Sequence, residues 1–180
     1  MMTARNPSIE HPSAQQVWTW LADVPDPEIP VISLVDLGII RNVAWEDEAL
    51  VVTVTPTYSG CPATTVINLD IERALNERGI ETVTLKRQLS PAWTTDWISQ
   101  EGREKLKAYG IAPPAHLTPE VAANTAMPIK LFGRIAGERI ACPRCASERT
   151  ERLSAFGSTA CKALYRCMAC REPFEHFKPI

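Results

Sequence analysis

Two C-x-x-C pairs near the C-terminus, Cys142-Pro-Arg-Cys145 and Cys167-Met-Ala-Cys170, constrain this chain more than any other feature. The 21 residues between them are close to the spacing of zinc ribbons. Each pair can wrap a tight turn whose two thiolates approach one metal ion at ~2.3 Å, and the intervening segments SERTERLSAFG and CKALYRC can form the strands that hold the pairs together. Four thiolates then close a tetrahedral site, supplying stability that so small a core cannot. One structural zinc per chain is expected on Cys142, Cys145, Cys167 and Cys170, although the same four ligands also suit a rubredoxin-like iron. Cys161 is a fifth thiol that such a site does not need. It reads either as a half-buried strand cysteine or as a thiol for metal exchange or redox chemistry.

With 180 residues the chain has room for one full domain besides the ribbon. Apolar content of 45% and charged content of 22% are ordinary for a globular protein, and no stretch approaches the ~20 apolar residues that span a bilayer. The N-terminus, MMTARNPSIEHPSAQQ, lacks the apolar segment of a secretory signal, so a cytoplasmic location is expected. In a reducing compartment cysteines serve as metal ligands or reactive thiols more than as disulfides. Charge divides unevenly: ten basic against sixteen acidic side chains in residues 1–133 make −6, and nine against five in residues 134–180 make +4. Zinc with four thiolates contributes −2, leaving a loaded ribbon at only about +2, which speaks against nucleic-acid binding.

Along the chain, residues 1–12 read as a disordered tail. Ser13 and Gln16 have the form of a capping box ahead of a short helix with Val17, Trp18 and Leu21 on one side. Prolines force a loop over Asp26 to Pro30. Two strands follow, one carrying Ile39, Val43 and Trp45 and the next Leu50, Val52 and Val54. Ile67, Ile71 and Leu75 fall at i, i+4 and i+8 of an amphipathic helix that Gly79 is placed to end. A third strand from Thr82 sets Val83, Leu85 and Leu89 on one face, and a charged helix ends at Gly110. The expected fold is α+β: a small sheet with helices on one side over residues 13–112, a linker over 113–133, and the C-terminal zinc ribbon over 134–180.

Cys61 stands far from the other cysteines. It directly precedes Pro62, which favours the first turn of a helix, so the expected place of Cys61 is the N-cap, where backbone amides and the helix dipole favour a thiolate. A Cys-His hydrolase would need an imidazole nearby, but His11, His116 and His176 fall in the tail, the linker and the ribbon. Asp26, Glu28 and Asp36 can flank the thiol if the proline-rich loop folds over it. Their plainer role is as loop caps.

Three segments, DPEIPVISLVDLGII from Asp26, TPTYSGCPA from Thr55 and LSPAWTTDWISQEGREKLKAYGIAPP from Leu89, together with the trailing CPRC and ACKALYRCMAC, resemble the PaaD branch of the SufT-like iron-sulfur assembly factors. The resemblance covers nearly the whole chain beyond the tail. It implies an accessory protein of aerobic phenylacetate degradation that serves cluster maturation for the multicomponent phenylacetyl-CoA epoxidase, in particular its flavin and [2Fe-2S] reductase subunit. It also places the family's reactive cysteine on Cys61 and its acidic loop on Asp26 and Glu28. Older labels call such proteins an oxygenase subunit, yet the Glu and Glu-x-x-His ligands of a di-iron site do not appear. A cluster wants several thiolates and the first domain offers one. Any cluster or iron held there is transient and shared with another chain, a second copy included, or with a small thiol.

Overall fold

The computed structural model describes residues 11–58, 60–114 and 140–180. Helix α1 (Ala14–Leu21) begins at the expected capping box: Ser13 accepts from the Gln16 N–H while the Gln16 side chain accepts from the Ser13 N–H. Val17 and Leu21 are fully buried beneath it. Strands β1 (Ile40–Glu46) and β2 (Ala49–Val54) form an antiparallel hairpin, with Asp47 at φ 54° in the acidic turn. Helix α2 (Thr64–Asn76) then crosses over so that β3 (Val83–Arg87) pairs in parallel with β2, giving the sheet order β1-β2-β3. Ile67, Ile71 and Leu75 are all buried, as their spacing predicts.

Leu89 departs from expectation. It lies beyond the end of β3 and is 55% exposed, so the third strand keeps only Val83 and Leu85 against the core. A short 3-10 turn (Thr95–Trp97) leads into α3 (Gln100–Tyr109), which Gly110 ends in the left-handed conformation at φ 99°.

The second sheet joins the two halves of the chain. Strands β5 (Thr150–Ser154), β6 (Lys162–Cys167) and β7 (Pro173–Phe177) form an antiparallel meander, and its fourth strand is β4 (Ile111–Ala112), which pairs in parallel with β7. The ribbon therefore borrows an edge from the preceding domain. Phe177 and Cys161 belong to the same apolar core as Leu21, Ile71 and Leu106, and Phe177 meets Trp93 at 6.1 Å between ring centroids. The Thr95 N–H also donates to the C-terminal Ile180 carbonyl at 3.2 Å. The expected linker lies outside the described residues except for Pro113 and Pro114, as does the expected tail apart from its end, where the Pro12 carbonyl accepts from Trp45 Nε1 at 2.9 Å. Among the described residues no helix is long and apolar enough to cross a membrane.

Candidate functional site

The four ribbon thiols converge. All Sγ atoms of Cys142, Cys145, Cys167 and Cys170 lie within 4.8 Å of one another, with Cys142 to Cys170 at 3.8 Å and Cys145 to Cys167 at 3.6 Å. A tetrahedron with metal–sulfur bonds of ~2.3 Å has sulfur–sulfur edges of about 3.8 Å, which these two edges match, so the set is gathered for one four-coordinate metal. Its two halves are built alike. Cys142 N–H donates to Ser147 and Cys167 N–H to Glu172, while Ala146 and Arg171 donate back to the carbonyls of Cys142 and Cys167. Ala146 and Arg171, each following the second cysteine of its pair, take φ of 59° and 69° to turn the chain. The N–H groups of Cys170 and Ala169 point at Cys167 Sγ from 3.5 and 3.4 Å. Those bonds, that from Cys170 first, pull the Cys167 thiol down to about 6.

The other site forms around Cys61. Asp26, Glu28, Ile29, Thr57, Cys61 and Cys161 line one small cavity, whose floor is the apolar core. The proline-rich loop does fold over the thiol. Asp26 Oδ1 accepts the N–H groups of Glu28 and Ile29 at 2.9 and 2.8 Å, the Asp26 N–H donates to Ile32, and Ile29, Ile32, Leu34 and Leu37 anchor the loop beneath. Burial pushes the Asp26 and Glu28 carboxyls above their usual range.

Two expectations are corrected here. Asp36 is not part of the cavity: Ser99 Oγ and Lys105 Nζ donate to its two oxygens, each at 2.8 Å, which fastens the loop to α3. Cys61 is not the N-cap either. Ala63 holds that position without a side-chain bond, and the Cys61 backbone forms the turn before it, donating to Tyr58 and accepting from the N–H and hydroxyl of Thr64. Its half-buried side chain is thus left to the cavity.

Cys161, which in the sequence is a surplus thiol of the ribbon, is 6% exposed and faces the same cavity from the far end of the chain. Nothing local in the sequence signals this, because the two thiols are 100 residues apart. Among the described residues no histidine lines the cavity. His176 is buried with Nδ1 at 3.1 Å from the Ala112 carbonyl, His11 packs at a tilt against Trp45 with ring centroids 4.0 Å apart, and His116 lies outside the described residues.

Comparison with known proteins divides the chain along the same lines. Residues 14–84 match the family described as iron-sulfur cluster assembly protein, and residues 129–178 match the PaaD zinc beta ribbon domain. A relative from Escherichia coli K12, described as a putative 1,2-phenylacetyl-CoA epoxidase subunit, is 47% identical over 96% of this chain and 97% of its own. An Fe-S protein maturation auxiliary factor from Porphyromonas gingivalis is 36% identical over 48% of this chain and 83% of its own. Among solved structures, the domain of unknown function DUF59 from Bacillus anthracis, 27% identical, covers 52% of this chain and 90% of its own with a TM-score of 0.47.

Proposed function

The chain belongs to the PaaD family, and from that premise we propose that it is a cytoplasmic maturation factor that handles iron-sulfur cargo for the multicomponent phenylacetyl-CoA epoxidase. Cys61 is the thiol that takes the cargo. Its placement at a cavity whose charged lining is Asp26 and Glu28 carries the reading, since a thiolate beside two carboxylates is a set of anions that accepts a metal cation. The ribbon plays a different part. Cys142, Cys145, Cys167 and Cys170 would hold one zinc, whose contribution is to tie the two C-x-x-C turns into one body. Because β7 pairs with β4 and Phe177 enters the common core, fixing the ribbon also fixes one wall of the Cys61 cavity.

The recipient proposed is the flavin and [2Fe-2S] reductase subunit of the epoxidase. The test is to express the epoxidase components with and without this protein and to measure iron and sulfide in the purified reductase. Cluster content should fall several-fold in its absence, and unchanged content would overturn the reading. The name of the Escherichia coli relative, a subunit, favours a second reading as an adaptor of the complex. An adaptor must co-purify with active epoxidase in fixed stoichiometry, whereas a maturation factor acts and leaves.

A further inference from the structure

We infer that Cys161 is the second thiol ligand of the cargo site, so that the assembly domain and the ribbon each supply one thiolate, from Cys61 and Cys161, to a single ferrous iron. This rests on the role of Cys61 given above and adds to it a residue from the other half of the chain.

The zinc site does not account for Cys161. Four thiols complete it, and Cys161 is not among them. Its backbone is fixed at the start of β6, where the Lys178 N–H donates to its carbonyl at 2.9 Å, and Thr159 Oγ1 lies 3.0 Å from its sulfur. A buried cysteine is ordinarily an inert packing residue. This one shares its cavity with Cys61 and with two carboxylates. The Lys162 side chain, 4% exposed, pairs with Glu175 Oε2 at 2.9 Å, and its charge also acts on Asp26, Glu28 and Cys161, where burial outweighs it. Burial raises the Cys161 thiol as it raises Asp26 and Glu28, so the anionic form of each is disfavoured until a cation arrives. Two sulfurs select a borderline transition metal over calcium or magnesium.

The chemistry balances without a further reactant. Each iron–sulfur bond forms as the thiol releases its proton to solvent, and the iron stays ferrous. A thiolate-bound ferrous iron takes four ligands, so two from this chain leave two positions for thiols of the recipient, and transfer proceeds by ligand exchange.

The test uses the full chain with zinc loaded in the ribbon, titrated anaerobically with ferrous iron alone. Iron retained after desalting and the near-ultraviolet thiolate-to-iron absorption are read together with zinc content. The native chain should take up about one iron besides its zinc. Cys61→Ser, Cys161→Ser and Cys161→Ala should each bind iron at least tenfold more weakly with zinc unchanged. Native-like iron binding in both Cys161 variants, with loss in Cys61→Ser, overturns this inference and leaves the role of Cys61 standing; no iron uptake by the native chain overturns both. One measurement needs no substitution. Phenylarsine oxide bridges two neighbouring thiols, so the zinc-loaded native chain should bind one equivalent without releasing zinc and then refuse iron. Failure to bind the arsenical would also overturn the pairing.

Discussion

The protein holds two groups of thiols that differ in how they are built. The ribbon set is local and closed: two tight turns of like construction present four sulfurs at tetrahedral spacing, leaving no coordination position open. The Cys61 cavity is assembled from distant segments, the proline-rich loop, the turn before α2 and the start of β6, and its thiols fall short of a full ligand set. A closed set suits a metal that never leaves, whereas an incomplete set on a shared wall suits one that is passed on. Because the two are coupled through β4, β7 and Phe177, a metal held in the ribbon would shape the wall of the Cys61 cavity.

The strongest way to break this comparison is to remove the zinc. Structural zinc in small modules is worth about 10–16 kcal/mol of apparent binding energy, which there is folding energy. Cys167→Ser should therefore lose zinc and unfold the ribbon, while Cys161→Ser keeps one zinc per chain; metal analysis and circular dichroism read both. If Cys161→Ser empties the ribbon and Cys167→Ser does not, the two sets have been assigned the wrong way round. A chelator strong enough to strip zinc should also expose Cys161, detectable as faster alkylation of that thiol.

Next in size is the loss of function in Cys61→Ser with little loss of stability. The structural bonds at this position are made by the backbone, to Tyr58 and Thr64, and the side chain is only half-buried. Reductase cluster content should drop to the level seen without the protein, and the melting temperature should stay within about 2 °C of native. Normal cluster content in that variant would make the cavity a packing defect.

A smaller effect tests the frame of the cavity. Gly38, which ends the loop carrying Asp26 and Glu28, has φ 69°, and a Cβ there would stand 2.7 Å from the Trp97 carbonyl. Gly38→Ala should cost about 2 kcal/mol, from the left-handed backbone and the close approach together. Zinc content should not change, since the ribbon turns are elsewhere, and iron uptake at Cys61 should weaken.

What the sequence reveals follows the range of the interactions. The four-cysteine cluster of the ribbon and the buried face of α2 are written in spacings of three to four residues, and both are legible. Strand β4 is two residues long and exists only because β7 lies beside it, so no local pattern can announce it. Pro62 suggests a helix beginning beside Cys61, yet the chain makes a turn first and the helix starts at Thr64. Nearness in sequence groups Asp36 with Asp26 and Glu28; the loop reverses between them, and Asp36 faces α3. The same nearness assigns Cys161 to the ribbon. Its place beside Cys61 depends on the docking of the two sheets, which sequence alone does not encode in any short window.

The mildest expected effect concerns Asp36, and it separates the frame of the cavity from its chemistry. Burial alone would raise this carboxyl, but the bonds from Lys105, Ser99 and Ser33 outweigh it and hold Asp36 below its usual range. A carboxylate depressed on folding contributes stability that is fully present above its unfolded value of ~3.9 and is lost as the pH falls through the lower folded value. Asp36→Asn keeps the shape and removes the charge, at a cost of about 1 kcal/mol near neutral pH, since the Lys105 partner is partly exposed. Denaturant titrations from pH 7 down to pH 3 should show native and variant curves converging as the native carboxylate is protonated. High salt should narrow the same gap at neutral pH. Iron uptake at neutral pH should stay within twofold of native, because Asp36 stands outside the cavity. A variant that is as stable as native at pH 7 would mean that the loop is held by its buried Ile29, Ile32, Leu34 and Leu37 alone, and a variant that loses iron uptake while remaining folded would place Asp36 in the chemistry of the open site after all.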